Sequence, residues 1–360
     1  MSSFAPFLPL VTLIAIAGVI LYLYRVPRAL GAWEAALLTF ALSMPLLLFG
    51  IYSLDHYGLG IFVAMPFMIG FVSVLFRARR APERTWKECR NVALGSTLLV
   101  GTASLLGGVE GIVCLAMASP LALFLAFVGG RLAYSVQGGF WRRRASPALL
   151  LIVLLSTPLL MGAEATMPWQ APLYKVVTSV EIDAPPETVW RNVVSFRQLP
   201  PPEDWLFRTG IAYPVRAEIR GRGVGAIRYC EFSTGAFVEP IEVWDEPRRL
   251  AFRVTENPPA LRELSPYGGI HPPHLQGFLV SRRGQFRLIA LPGGRTRLEG
   301  TTWYQHGLYP AGYWRLWSDA ILHRIHLRVL EHVKRLSEER RAAITMLEPE
   351  KQCSRASNNV

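Results

Sequence analysis

Six of the seven histidines lie in the second half of the chain, where they could bind a metal ion or transfer protons. They are His271, His274, His306, His323, His326 and His332. His323 and His326 are one helical turn apart and would share a helix face. Zinc on a helix usually needs a carboxylate or further histidines that converge on the ion, and the chain has no HExxH motif. The sequence therefore predicts no metal ligand and no cofactor.

Nucleophilic catalysis is not indicated either. The chain has no GxSxG motif, and none of its cysteines stands beside an identifiable base. The Gly221-x-Gly223-x-Gly225 run lies between two predicted strands, a context that excludes a phosphate-binding loop. Acid–base chemistry by Tyr229, Tyr304 or His306 stays open as an alternative. A disulfide between Cys230 and Cys353 also stays open.

The chain that carries these residues has two halves of different composition. Its 360 residues are 51% hydrophobic and 18% charged, with a mean hydropathy of +0.27. Soluble chains are about 25% charged. A chain this apolar is not intrinsically disordered. Its four cysteines are too few for a disulfide scaffold. Residues 1–167 are predicted to form an integral membrane domain, residues 168–340 a folded domain and residues 341–360 a polar, disordered tail.

Six apolar segments in the first half could cross a bilayer, whose core of ~30 Å needs about 20 apolar residues of helix. They are residues 7–24, 31–52, 59–76, 91–107, 111–128 and 145–163. The sixth is the weakest, because Pro147 stands at its start and Pro158 inside it. Small residues around Gly95 and Gly101 predict that the fourth helix packs closely against a neighbour.

The distribution of basic residues predicts an orientation. All 12 basic residues of the first half fall in the connections after spans one, three and five, including residues 77–90 and 142–144. Basic loops stay on the cytoplasmic side, so the N-terminus is predicted outside a bacterial cytoplasmic membrane. Six spans would place the C-terminal domain on the outer (periplasmic or extracellular) face, and five would place it in the cytoplasm. The net charge of +12 is thus explained by membrane topology rather than by a nucleic-acid partner. The sequence does not predict the oligomeric state.

The second half alternates between short strand-like and helical segments. Residues 174–183 predict a strand, and Pro186 begins a short helix. Further strands are predicted at 215–220, 224–233, 236–244, 249–255, 277–290 and 295–305, with an irregular stretch at 257–275. A helix of about 25 residues follows from Gly312 to Ser337. This order predicts an α+β domain with a curved antiparallel sheet around a long C-terminal helix.

Three segments carry a family resemblance. They are VEIDAPPETVWRNVVSF, TRLEGTTWY and WRLWSDAILHRIHLRVLEHVKRL. Together they resemble the START-like (SRPBCC) superfamily, which has the helix-grip fold and includes polyketide cyclase/dehydrase-like and lipid-transfer proteins. The resemblance covers about residues 172–338, and the membrane half resembles no family that we recognise. It implies a cavity for a hydrophobic ligand without implying one chemistry.

Strand alternation and helical spacing predict which side chains face this cavity. The predicted ligand-binding residues are Tyr229, Phe252, Phe286, Leu288, Thr302, Tyr304, His306, Tyr313, Trp317 and Ile321. Tyr267, His271 and His274 are predicted to lie in a loop at the cavity mouth. Most of these side chains are apolar or aromatic, as is typical of ligand pockets.

The favoured function is membrane-anchored binding, and delivery, of a hydrophobic molecule such as a lipid, a quinone or a polyketide-like compound. The partners would be the bilayer and this ligand. One alternative is an enzyme that acts as a polyketide cyclase or dehydratase. A second alternative is a membrane scaffold or sensor whose folded domain has a filled core and docks a partner. The volume of the cavity, and the polar groups that face it, would discriminate between these hypotheses.

Overall fold

A computed structural model describes residues 2–26, 28–78, 84–137, 146–167, 170–275, 277 and 279–357. The chain divides into two compact units. The helical unit comprises Met1–Gln170, Glu263–His274 and Gly307–Trp314. The sheet unit comprises Ala171–Arg262, Leu275–His306 and Arg315–Val360. Two short segments from the second half of the sequence therefore belong to the helical unit.

The helical unit is built from long apolar helices. In its described part these are α1 (Leu8–Arg25), α2 (Ala32–Tyr52), α3 (Met65–Ala78), α4 (Trp86–Leu106), α5 (Ile112–Gln137) and α6 (Ser146–Thr166). A π-helical turn, Gly60–Ala64, leads into α3. Among the described residues, five helical segments are long and apolar enough to cross a membrane, and they correspond to the first five of the six predicted spans. Helix α6 overlaps the sixth predicted span, and its part with described side chains, Ile152–Thr166, is shorter than a span needs.

Two predictions fall partly outside the described residues. The basic residues at 79–80 and 142–144, which contribute to the predicted orientation, are among those that the structure does not describe. The side chain of Cys353 is not described either. Cys230 is a buried free thiol.

Close helix packing in the helical unit occurs between α3 and α5. A Cβ on Gly70 would lie 2.0 Å from the carbonyl oxygen of Ala126, and a Cβ on Gly129 would lie 2.2 Å from a backbone oxygen of α3. Glycine at these positions lets the two backbones approach each other. Helix α4 packs against α3 and α5 as predicted, through the buried Cys89 and Ala93. The prediction that Gly95 and Gly101 mediate this packing is wrong, because a Cβ at either position would meet nothing within 4 Å.

The sheet unit contains one seven-stranded antiparallel sheet, with strand order β1-β7-β6-β5-β4-β3-β2. The strands are β1 (Tyr174–Ile182), β2 (Pro214–Arg220), β3 (Ile227–Phe232), β4 (Gly235–Asp245), β5 (Arg249–Arg253), β6 (Leu279–Leu291) and β7 (Arg295–His306). Two short helices, α7 (Pro186–Val194) and α8 (Trp205–Arg208), connect β1 to β2. The sequence explains the β6–β7 hairpin, because Gly293 and Gly294 adopt φ of 80° and 69° in its three-residue loop, a conformation that favours glycine.

The long helix α9 (Ala311–Ser357) follows the last strand. It continues past the predicted end at Ser337 and includes residues of the predicted polar tail. Leu330 and Val333 of α9 share a buried core with Leu250 of β5 and Leu298 of β7. Each fully buried leucine of this kind contributes about 1.5–3 kcal/mol of hydrophobic stabilisation. A curved antiparallel sheet packed on a long C-terminal helix is the helix-grip architecture, so the predicted fold class is confirmed.

Candidate functional site

A cavity of about 130 Å³ lies inside the sheet unit, between the sheet and α9. Aromatic side chains from β3, β4, β5 and β6 form much of its wall, namely Phe232, Phe237, Phe252 and Phe286. Pockets for drug-sized ligands are roughly 300–1,000 Å³, whereas an apolar cavity of about 150 Å³ binds benzene. In this conformation the cavity therefore accommodates a group about the size of one aromatic ring.

Five of the residues predicted to bind ligand line this cavity. They are Phe252, Phe286, Thr302, Tyr304 and Ile321. The first four lie on β5, β6 and β7, three strands that are neighbours in the sheet. Ile321 lies on the helix face that packs against these strands, together with Ile325 and Val329 of the lining. The period-two and helical patterns thus agree with the position of these five side chains in the wall, and their contact with a ligand stays a prediction.

Tyr229 lies on the opposite face of β3 from the one expected. Its neighbours Arg228 and Cys230 line the cavity, and the Tyr229 ring instead contacts the guanidinium of Arg220, 4.9 Å from the ring centroid. The alternation was predicted with the correct period and the wrong phase. The buried face of β3 therefore carries Arg228 and Cys230 instead of Tyr229.

Four other predicted residues are absent from the described lining of the cavity. Leu288 is buried in the core near the far end of β6, and Trp317 is 36% exposed on α9. His306 is buried and its ring stacks on Tyr174, with 5.1 Å between ring centroids. Tyr313 belongs to the helical unit, where its hydroxyl donates to a backbone carbonyl of α5.

The three residues predicted at the cavity mouth belong to the helical unit. The hydroxyl of Tyr267 donates to the carbonyl oxygen of Leu106 at the end of α4. His271 is exposed, and His274 contacts side chains at the start of α5. Within the same β5–β6 connection it is residues 257–260 that line the cavity. The irregular stretch was predicted correctly, but its cavity-lining part is its beginning rather than its end.

A buried ion pair in the cavity wall was missed by the sequence analysis. The Arg228 guanidinium on β3 donates to the Glu239 carboxylate on β4, and the two side chains are 2% and 8% exposed. The arginine also lies 5.5–5.6 Å from the ring centroids of Phe196, Phe252 and Phe286. One signal could have found the pair, because the tight β3–β4 turn sets a register that places residue 228 opposite residue 239.

One donor of this arginine is unused. Within the described part of the chain, the Nε–H of Arg228 has no hydrogen-bond acceptor, although the atom is buried. A buried donor without an acceptor costs about 1–3 kcal/mol. An acceptor atom on a molecule in the cavity would remove this cost.

A second polar group in the wall is the imidazole of His326 on α9. Its Nε2 lies 2.7 Å from the Thr302 hydroxyl, and its Nδ1 lies 3.1 Å from the Thr178 hydroxyl. The same Thr178 hydroxyl lies 2.8 Å from Nδ1 of His323, so the two histidines share a helix face as predicted. Burial lowers the pKa of His326 to about 4, with a smaller contribution from the neighbouring His323. His326 is therefore a neutral hydrogen-bonding group at pH 7.

Tyr304 holds the third polar group of the wall. Its hydroxyl donates to Oδ1 of Asp319 on α9 over 2.6 Å. Burial and this hydrogen bond raise the pKa of Tyr304, so the phenol stays protonated at neutral pH. Arg315 holds the other oxygen of Asp319 at 3.1 Å. This arrangement ties β7 to α9 rather than leaving a free acid or base in the cavity.

A separate cluster of polar side chains lies in the helical unit. Sγ of Cys114 on α5 lies 2.9 Å from Nε2 of His274, and Nδ1 of His274 lies 3.5 Å from a carboxylate oxygen of Glu110. Tyr57 donates to the other Glu110 oxygen over 3.1 Å. Glu263 lies beside Cys114, and burial raises the pKa of the Glu263 carboxyl. Among these residues, the sequence analysis singled out only His274 as a site residue.

Comparison with known proteins agrees with the sequence resemblance. Residues 174–316 match the family model described as "Polyketide cyclase / dehydrase and lipid transport", which confirms the resemblance of this region to the START-like superfamily. The Zhui aromatase/cyclase from Streptomyces sp. R1128 is 18% identical, with 47% of this chain and 96% of that chain covered and a TM-score of 0.30. A norcoclaurine synthase from Thalictrum flavum is 12% identical, with 48% and 99% covered and a TM-score of 0.31. No curated protein matches the chain.

Proposed function

We propose that the sheet unit binds a small hydrophobic molecule that carries a hydrogen-bond acceptor. The observation that carries this proposal is an apolar, aromatic cavity with one buried and unused donor, Nε of Arg228. Apolar walls hold the body of the ligand, and a few polar groups fix its orientation. A lipid, a quinone or a polyketide-like compound has both an apolar body and a carbonyl or carboxyl oxygen, and the cavity in this conformation would hold a ring-sized part of such a molecule.

The apolar helices would anchor the binding domain to a membrane, where a hydrophobic ligand is dissolved. A hydrophobic ligand that leaves the bilayer for water loses about 0.8 kcal/mol for each exposed CH₂ group. A binding domain tethered to a membrane shortens the path over which the ligand is exposed. Delivery between a membrane and an acceptor is therefore the specific role that we propose for the full chain.

The compartment in which the sheet unit works depends on α6. We assign the sheet unit to the outer face of a bacterial cytoplasmic membrane, with α6 as a sixth span and the basic connections in the cytoplasm. Fusions of the full chain to alkaline phosphatase and to green fluorescent protein test this assignment. Active phosphatase with a dark fluorescent fusion is expected. The reverse pattern would mean five spans and a cytoplasmic sheet unit.

Ligand binding is tested by extracting the purified full chain with organic solvent and identifying the released molecules by mass spectrometry. We expect one class of apolar molecule that carries a carbonyl or carboxyl group, at a level near one molecule per chain. Arg228→Lys removes the Nε–H donor and keeps the positive charge, so it should lower the occupancy. Arg220→Lys, on the outer face of the same sheet, is the matched control. A wild-type extract that contains only the detergent would contradict the proposal.

An enzyme remains a second candidate because of one feature, the neutral imidazole of His326 in the cavity wall. A cyclase or dehydratase would need this group to move a proton on the bound molecule. His326→Gln would then abolish turnover of the extracted ligand while leaving its binding intact. The scaffold or sensor alternative requires a filled core, which the cavity does not favour.

A further inference from the structure

The helical unit brings together four side chains that can bind metal ions and that the cavity does not use. Glu110 and Cys114 flank the start of α5, and Glu263 and His274 are the two ends of the segment Glu263–His274. One ligand atom each from Glu110, Cys114 and His274 can be chosen so that all three atoms lie within 4.8 Å of one another. Glu263 stands beside Cys114 and interacts electrostatically with both Glu110 and His274.

Glu110 and Glu263 are buried, Cys114 and His274 are partly buried, and some of their acceptor atoms lack a hydrogen-bond donor. The exposed fractions of Glu110 and Glu263 are 9% and 2%. Over the described ranges, one Glu110 oxygen and Nδ1 of His274 make no hydrogen bond, and the Glu263 carboxyl interacts with Cys114. The described residues also give neither carboxylate an arginine or lysine partner within 4.0 Å, and only His274 pairs with Glu110. Buried carboxylates need compensating positive charge, which a cation between them would supply.

We propose that Glu110, Cys114 and His274 form a binding site for one divalent cation of the zinc class, with Glu263 beside Cys114 as the nearby fourth group. A thiolate, an imidazole and carboxylates are the ligands that Zn²⁺ takes, in sets of four. Mg²⁺ and Ca²⁺ prefer oxygen ligands alone, so the thiol and the imidazole disfavour them. The Cys114 thiol loses its proton to solvent when the cation binds.

Two further contacts suit such a site. Tyr57 donates to Glu110 Oε1 over 3.1 Å and would hold that carboxylate in place. The backbone N–H of Ile112 donates to the carbonyl oxygen of Leu264 over 3.0 Å, so the segment already lies against the start of α5. The cation would therefore fasten the His274 end of this segment to the start of α5, beside the end that the backbone hydrogen bond already holds. This inference concerns the helical unit alone and does not rest on the proposed ligand of the sheet unit.

The test measures zinc in the detergent-purified full chain after incubation with Zn²⁺ and dialysis. The wild type should retain about one zinc ion per chain, because such sites take a single ion. Cys114→Ser and His274→Ala should each retain less than about a tenth of that amount. Cys89→Ser and His271→Ala are matched controls, since Cys89 lies in a core of α3–α5 and His271 is exposed in the same segment. Both controls should retain zinc as the wild type does.

A second measurement reports the metal–thiolate bond directly. Co²⁺ added to the wild type should produce a thiolate-to-cobalt charge-transfer band, and Cys89→Ser should keep it. Tyr57→Phe should keep the band and weaken cobalt affinity by about 10–100-fold. A wild type that binds neither Zn²⁺ nor Co²⁺, or a Cys114→Ser variant that binds zinc normally, would overturn the proposal. Alkylation of Cys114 by iodoacetamide gives a third outcome. If Zn²⁺ does not slow this alkylation and His274→Ala does, the thiol is a nucleophile activated by histidine, and the proposal of a metal site is overturned.

Discussion

Arg228 and Glu239 form a cross-strand ion pair that faces the cavity of the sheet unit instead of solvent. Three phenylalanine rings surround the guanidinium, so the pair lies in an apolar environment. Taking two charges out of water is costly, and their attraction roughly offsets this cost only while both partners are present. The pair is therefore a sensitive point for both folding and ligand binding.

Removing one partner should strongly destabilise the sheet unit. Glu239→Gln leaves the arginine buried without its counter-charge, which we expect to lower the free energy of unfolding by about 3–5 kcal/mol. The double variant Arg228→Met/Glu239→Leu should recover most of this loss. Thermal unfolding of the full chain in detergent, followed by circular dichroism of the strands, measures both effects.

The control for this experiment is the exposed pair between Arg216 and Glu231, whose atoms are 2.7 Å apart. Glu231→Gln should cost about 0–1 kcal/mol, because water screens the pair. A Glu239→Gln variant that unfolds like Glu231→Gln would show that the buried pair is solvated in solution.

Filling the cavity should exclude the ligand without unfolding the protein. Ile321→Trp places a larger side chain in a space of about 130 Å³, and we expect at least about a tenfold loss of bound ligand, or ~1.4 kcal/mol. Leu316→Trp is the matched control, because Leu316 lies on the same helix and is exposed. Mass spectrometry of the extracts measures occupancy. Equal occupancy in the two variants would place the ligand elsewhere.

His326 should make the sheet unit lose stability in mild acid. Its pKa is lowered from 6.5 to about 4 in the folded protein, so between these values the unfolded chain binds a proton that the folded chain does not. Stability therefore falls as the pH decreases from 6.5 towards 4, by about 2 kcal/mol between pH 7 and pH 5. His326→Gln should reduce this pH dependence, and His271→Gln, at an exposed site, should not. Thermal unfolding at pH 7 and pH 5 measures the loss of stability. If His326→Gln loses as much stability as the wild type, His326 is not the group responsible.

Glycine-to-alanine substitutions should destabilise the helical unit at the contact between α3 and α5 but not at Gly95 and Gly101 of α4. Gly70→Ala and Gly129→Ala force a methyl group into a backbone contact between α3 and α5, so each should destabilise the unit by about 1–3 kcal/mol. Gly95→Ala and Gly101→Ala on α4 meet open space and should be neutral or slightly stabilising, since alanine favours helix. Thermal aggregation of the full chain in detergent compares the four variants. Equal melting of all four would contradict the close approach of α3 and α5.

Several features could be predicted from the sequence because they depend on local patterns. Apolar runs of sufficient length predict the helices of the first half, and the Gly293-Gly294 turn between two alternating segments predicts the β6–β7 hairpin. The wall formed by Phe252, Phe286 and Thr302 follows from the same alternation. The residues that form each of these patterns lie close together in the sequence, so the patterns can be recognised without knowledge of the tertiary structure.

The phase of β3 and the polar cluster of the helical unit were decided only by tertiary structure. Arg228 faces the cavity because Glu239 compensates its charge and the rings of Phe196, Phe252 and Phe286 surround its guanidinium. The turn register indicates Glu239 as the partner, but these rings come from other segments of the chain, which the pattern of β3 does not include. Cys114 and His274 are 160 residues apart in the sequence and meet because Glu263–His274 lies in the helical unit. Hydrophobic periodicity is a local property, whereas contacts between distant segments depend on the packing of whole elements. The sequence by itself thus determined the kinds of elements and the type of fold, and the tertiary packing decided which polar residues share a site.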